Sequence, residues 1–281
     1  RVLELTDLIL KEKPDILISH SAPATRVGFG LGIPCIHVID DPHAQAQAKL
    51  SLSISSVIIY PNAIPKERIL ELGAAGSKLT QFDGTLQAAY TLFNLEPHKE
   101  TLQKLRISSK KHLIIIRPEP YYSAFLQSSK EESITIPVIK ELKEYPDVQL
   151  LVLPRNQEQK EFFCTLFKEF VIMPNGFLDG PTLLSKASLV ISAGATMNEE
   201  AVLLGKPAIS CYPRGLLPID EYLIKLGLPF YYSTKPKEIL KIVKGLLEKP
   251  QEYDVEKLKN KIQNPTEIFL KEIMVLNKSF G

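Results

Sequence analysis

The chain has 281 residues, of which 44% are hydrophobic and 23% charged, with a formal net charge of +2 and three cysteines. That length fits one large or two medium domains, and a charge so close to zero argues against a nucleic-acid partner. Cys35, Cys164 and Cys211 lie far apart without a CxxC pair and cannot assemble a zinc site, and no apolar run reaches membrane-spanning length, so a cytoplasmic protein is expected.

Residues Val2–Lys13 carry Leu3, Leu5, Leu8 and Ile9 at helical spacing and predict an amphipathic helix. A parallel α/β domain normally begins with a strand, so residues are expected to precede Arg1 and the N-terminal domain is expected to be incomplete. Short apolar runs then predict strands at Ile16–Ser19, Cys35–Ile39, Val57–Tyr60 and Lys78–Phe82. Helices are predicted between them at Pro23–Leu31, Pro42–Ser51 and Lys66–Leu72, with Pro14, Pro34 and Pro61 at the boundaries. The polar stretch Glu96–Lys111, holding a predicted helix over His98–Leu105, interrupts this rhythm and marks a domain boundary.

A second series follows. Its predicted strands are His112–Arg117, Val148–Pro154, Phe170–Met173, Leu189–Ser192, Ala208–Cys211 and Phe230–Tyr232. Its predicted helices are Glu131–Tyr145, Gln157–Phe167, Pro181–Lys186, Thr196–Leu204, Ile219–Lys225 and Lys235–Glu248, with a last helix, Pro265–Lys278, after which no strand comes. Strands alternating with helices imply parallel sheets joined by right-handed crossovers. The expected architecture is α/β: two Rossmann-like α/β/α domains facing across a cleft. The first spans 1–106 and the second 107–263, with 264–281 as a C-terminal helix free to return to the first domain.

Ligands of such sheets bind at the carboxyl ends of the strands. The groups that fall there include His20-Ser21, Asp40-Asp41, Asp83-Gly84, Arg117-Pro118-Glu119, Arg155, Asn175–Gly180, Gly194–Thr196 and Arg214. Residues 188–211, SLVISAGATMNEEAVLLGKPAISC, are the most informative. An apolar strand feeds the small-residue turn Ala193-Gly194-Ala195-Thr196 and then a helix. Such a turn bares backbone N–H groups at a helix N-terminus, where the dipole also favours an anion. Small residues let a phosphate approach that backbone closely. Glu200, on the early turns of the helix, can accept hydrogen bonds from ribose hydroxyls. Glu199 is explained by the dipole alone.

Other residues admit two readings. Asp41 is as readily a helix N-cap before Pro42 as a catalytic group, whereas Asp40 is a candidate general base. His20 is either a base or a supporting histidine. Arg117 is favoured as a phosphate ligand and Arg155 is left even between site and surface. Tyr121 and Tyr122 either line the cleft or pack at the domain junction. There is no GxSxG elbow and no GxxxxGK[ST] run, which speaks against a serine hydrolase and a P-loop nucleotide hydrolase.

The segment Gly194–Ala201 with Leu204-Gly205-Lys206-Pro207 resembles the sugar-nucleotide motif of GT-B folds, shared by non-hydrolysing UDP-N-acetylglucosamine 2-epimerases and MurG-type glycosyltransferases. Pro14–His20 and Ile33–Val38 resemble the N-terminal domain of those epimerases. Gln81–Gly84, Ala89-Tyr90, Arg117-Pro118-Glu119 and Leu153-Pro154-Arg155 are similar to the uncharacterised domain-of-unknown-function 354 family, related to both. The resemblance spans nearly the whole chain. It implies a nucleotide sugar, UDP-linked, with Gly194, Ala195 and Thr196 at the diphosphate, Glu200 at the ribose, Arg117 on a phosphate, and Phe177, Leu178 and Asp179 holding the base through main-chain groups. His20-Ser21 stands where the epimerases carry a Gly-Asp pair, and His37-Val38-Ile39-Asp40 where they carry His-x-Glu, so the epimerase acid/base set is not intact. The expected activity is a metal-independent glycosyl transfer to an acceptor of unknown identity, with no cofactor besides the nucleotide-sugar donor. A 2-epimerase and a sugar-nucleotide-binding protein without catalysis are the alternatives.

Overall fold

A computed structural model describes the chain except residues 75, 99–104, 106, 121–132, 168, 169, 177, 252 and 281 and the side chains of 279 and 280. The helix predicted over His98–Leu105, Tyr121, Tyr122 and Phe177 therefore lie wholly or mostly outside the described residues. Two compact units divide it: residues 1–89 with 258–281, and residues 90–257.

Among the described residues the first unit holds four parallel strands in sequential order, β1 (Leu17–Ser19), β2 (Cys35–Val38), β3 (Val57–Pro61) and β4 (Lys78–Phe82). All five residues of β3 are buried, and their two-residue period splits them between two cores. Ile58 and Tyr60 pack with Ile39, Leu52, Ile64, Ile69 and Leu72; Val57 and Ile59 pack with Ile36, Phe82 and Leu276. The second core is closed by the C-terminal helix Pro265–Phe280, whose Ile268, Phe269 and Ile273 complete it. Burying such a side chain fully contributes about 1.5–3 kcal/mol and burying it in part proportionately less, and together these contacts hold a helix so distant in sequence onto this sheet. Glu272, 2% exposed, fastens it further: Lys78 Nζ lies 2.7 Å and Thr80 Oγ1 2.9 Å from its carboxylate.

Local chemistry shifts several predicted boundaries. The helix expected from Pro42 begins at Gln45, because the Asp41 carboxylate accepts the His43 N–H at 2.8 Å and makes a turn rather than a cap. His37, 2% exposed, is held between Thr25 Oγ1 (2.9 Å) and Ser51 Oγ (3.2 Å), neutral groups that cannot compensate a charge. Burial, aided by His20, pushes its pKa down to about 4. An unfolded histidine titrates near 6.5, so the unfolded state binds the extra proton first. Stability is therefore whole above pH 6.5 and drains as pH falls toward 4, by up to about 3 kcal/mol. Urea unfolding between pH 7.5 and 4.5 should show this loss, and His37→Gln should flatten it.

Among the described residues the second unit holds six parallel strands: β5 (His112–Arg117), β6 (Val148–Val152), β7 (Val171–Ile172), β8 (Leu189–Ser192), β9 (Ala208–Ser210) and β10 (Phe230–Tyr232). Their order, β7-β6-β5-β8-β9-β10, is the doubly wound one. The chain lays β5, β6 and β7 outward to one side, then returns to β5 and lays β8, β9 and β10 to the other. The switch falls between β5 and β8, paired from Ile114↔Leu189 to Arg117↔Ser192. Ile114, Ile116, Leu189, Ile191 and Phe163 form the centre of one face. Gly205, at φ 73, ends the helix after β8 where the Tyr253 carbonyl would stand 3.0 Å from a Cβ, so the turn into β9 admits no side chain.

Candidate functional site

At a topological switch the two crossovers leave in opposite directions and open a crevice above the strand ends. Arg117 ends β5 and Ser192 ends β8, so the loops after both rise beside that crevice. The pocket there has a volume of about 680 Å³ and belongs entirely to the second unit. Its walls include Arg117, Arg155, Lys160, Gly194–Met197 and Glu200.

The floor is the turn after β8. The helix Ala195–Leu203 has Gly194 as its N-cap, and no side chain caps it, so its first N–H groups face the pocket unclaimed by side chains among the described residues. The turn is fixed from beneath. Ser192 Oγ accepts the Gly194 N–H at 3.1 Å, and Asn198 Nδ2, fully buried, donates to the carbonyls of Gly194 (2.9 Å) and Ser192 (3.2 Å). The sequence reading missed both; the one available signal was a polar residue, Asn198, on a helix face otherwise spent on burial. The helix starts at Ala195, one residue before the predicted Thr196, so Glu199 and Glu200 stand in its second turn.

Two arginines overhang this floor. Arg117 Nη1 donates to the carbonyls of Leu153 and Pro154, each at 3.2 Å. Arg155 donates from Nε to Pro118 O (2.9 Å) and from Nη2 to Ala193 O (3.3 Å). These partners orient the guanidinium groups without neutralising them, and among the described residues neither arginine joins an ion pair. Burial lowers the pKa of Arg117 and, together with the nearby Arg117 charge, brings that of Arg155 down to about 10. Both remain cationic at neutral pH, and two cations beside a helix N-terminus can receive a multiply charged anion. Gly194 has to be glycine for this arrangement: a Cβ would meet Arg155 Nη2 at 2.9 Å.

The loop that carries Arg117 is itself anchored. Glu119, 1% exposed, turns away from the pocket and takes the N–H groups of Ile134 (2.6 Å) and Thr135 (2.9 Å) at the start of the helix Thr135–Leu142. Gln159 bridges the same loop to Arg155, donating to Glu119 O and accepting the Arg155 N–H, both at 2.8 Å. Arg155, left even by the sequence, thus belongs to the site.

Glu200 also lines the pocket. Its Oε1 accepts the Tyr90 phenol proton at 2.8 Å, and burial holds its carboxyl above the usual carboxylate range against that hydrogen bond, with Asp179 adding to the rise. Leu178 lines the pocket, and the Asp179 carboxylate caps the helix Gly180–Ser185 by accepting the Thr182 N–H at 2.9 Å. Gly194, Ala195, Thr196, Glu200, Arg117, Leu178 and Asp179 are thereby gathered in one neighbourhood of the second unit.

His20 and Asp40 lie in the first unit and meet each other. His20 Nδ1 is 2.8 Å from Val38 O and Nε2 is 3.3 Å from Asp40 Oδ1. A carbonyl only accepts, so Nδ1 carries a proton. The contact at Nε2 sets the ring against Asp40, whose carboxyl burial raises above the usual range while His20 opposes the rise. With both ring nitrogens engaged, His20 supports Asp40 rather than offering a lone pair of its own. Among the described residues no group of three His, Cys, Asp or Glu side chains is placed to hold a metal ion.

A family model described as a protein of unknown function, DUF354, matches residues 1–278. An uncharacterised protein of Methanocaldococcus jannaschii is 36% identical over 254 residues, 89% of this chain and 72% of that protein. The UDP-N-acetylglucosamine 2-epimerase of the same organism is 23% identical over 287 residues, 90% of this chain and 74% of the epimerase. Among solved structures, the UDP-GlcNAc 2-epimerase of Neisseria meningitidis bound to UDP-GlcNAc superposes with a TM-score of 0.71 at 19% identity, covering 97% of this chain and 80% of that one. The fold is that of the GT-B enzymes.

Proposed function

The chain belongs to the DUF354 family, and from that premise we propose that it is an enzyme acting on a nucleotide-activated sugar, UDP-linked, as a metal-independent glycosyltransferase. One observation carries the reading. The switch-point pocket brings Arg117, Arg155 and a helix N-terminus without a side-chain cap together with the Glu200 carboxylate. A nucleoside diphosphate presents groups for both, two phosphates followed by a ribose with vicinal hydroxyls. The arginines and the helix N-terminus would bind the diphosphate and stabilise it as a leaving group once the bond to the sugar breaks. Asp40, supported by His20, is the group we assign as base toward the acceptor hydroxyl.

A second reading, sugar-nucleotide 2-epimerisation, is favoured by the likeness in sequence and fold to enzymes of that name. The experiment that tests both is a thermal-shift screen of the chain with UDP, GDP, ADP, CMP and their sugars, followed by incubation with the sugar nucleotide that binds. One base should stabilise by roughly 5–10 °C at a hundredfold excess over Kd. Appearance of the manno epimer of UDP-N-acetylglucosamine without an acceptor would put epimerisation first. No stabilisation by any nucleotide would refute the nucleotide-sugar assignment.

A further inference from the structure

The Glu200 carboxylate is shared by two hollows of the second unit. One is the arginine-lined pocket. The other, of about 540 Å³, is lined by Tyr90, Asn94, Glu96, His98 and Asp179, and both include Leu178, Gly180 and Glu200. A carboxylate at such a partition has to present a defined edge, yet the terminal torsion of a glutamate is broad and holds no plane by itself. Tyr90 supplies the constraint. It sits in a single π-helical turn, Ala89–Phe93, 110 residues before Glu200, and its phenol donates to Oε1 at 2.8 Å. Oε2 lies toward Gly180, 3.8 Å from where a Cβ would stand there, and accepts no hydrogen bond among the described residues. Turns of this wider helix recur at functional sites, where the extra residue re-aims a side chain.

We propose that Tyr90 is the positioning residue of this site: by holding Oε1 it fixes the plane of Glu200 and leaves Oε2 as the acceptor for a vicinal ribose hydroxyl. The inference rests on the nucleotide reading above. It also bears on proton affinity, because a phenol that donates to the ionised carboxylate favours that form while burial and Asp179 oppose it. Glu96 and His98 face Glu200 across the second hollow, and Arg117 and Arg155 across the first.

The test uses the full chain, with UDP and 2′-deoxy-UDP titrated calorimetrically between pH 5 and 9. Carbon-13 NMR of the glutamate carboxyls of the unliganded protein accompanies it. In Tyr90→Phe the Glu200 carboxyl should titrate at higher pH, UDP should bind roughly tenfold more weakly at pH 6, and the preference for UDP over 2′-deoxy-UDP should shrink. In a Glu200→Gln background the same substitution should have no further effect on binding. Unchanged titration and an unchanged UDP to deoxy-UDP ratio in Tyr90→Phe would overturn the positioning role, as would an undiminished effect in the Glu200→Gln background. Absence of UDP binding by the wild-type chain would overturn the nucleotide reading, and this inference with it.

Discussion

Replacing Glu200 by alanine is expected to weaken UDP binding by roughly 10- to 100-fold, the worth of one charge-assisted hydrogen bond to a ribose hydroxyl. At a ligand concentration that gives the wild-type chain its full thermal shift, the variant should keep between about half and one sixth of it. Its unliganded melting point should move little. Burial raises the Glu200 pKa above that of an unfolded glutamate, so the ionised carboxyl costs the folded state free energy above that folded pKa. Its removal relieves that cost while forfeiting the Tyr90 hydrogen bond, and the two oppose. A variant that lost melting temperature in the absence of ligand would show instead that the carboxylate is there to hold the fold.

The second large effect is expected at Gly194. Its backbone, at φ −152 and ψ 152, is open to any residue, so alanine brings no conformational strain. What it brings is a Cβ 2.9 Å from Arg155 Nη2. The guanidinium is the movable end of a long side chain, so the fold yields there at little cost, and the arginine is displaced from its place over the floor of the pocket. UDP should bind roughly 10- to 100-fold more weakly while uridine, which has no phosphates, is held as before. Arg155→Met should match Gly194→Ala, and the double variant should lose no more than either alone, since one cation is removed in both. Titration of UDP and uridine against the three variants decides it; equal losses for both ligands would mean that the turn had collapsed.

The parts of this site that follow from local spacing were legible before any coordinates. A strand, a small-residue turn and a helix with Glu200 near its start are contiguous, and their geometry is set by a dozen residues. Arg117 follows a strand directly and was read the same way. What depends on contacts across long stretches of chain was not legible. Nothing in the tetrapeptide around Tyr90 announces a partner 110 residues away, and Arg155 looks like any surface arginine until the fold lays it over Gly194. Glu119 shows the opposite hazard, for it sits in the same motif as Arg117 yet caps a helix instead of facing the ligand. At Asp41 the local rule itself was ambiguous. A turn and an N-cap compete for the same carboxylate, and the backbone N–H of His43 settled the matter.

The C-terminal helix has a consequence for biosynthesis. The first unit is built from both ends of the chain, with residues 90–257 inserted between them. One of its cores lacks Ile268, Phe269, Ile273 and Leu276 until they have left the ribosome, whereas the strands described in the inserted unit have all been made by Tyr232. The switch-point pocket is thus encoded wholly ahead of the sixteen-residue helix that closes the first unit's sheet. The half made first is the half finished last.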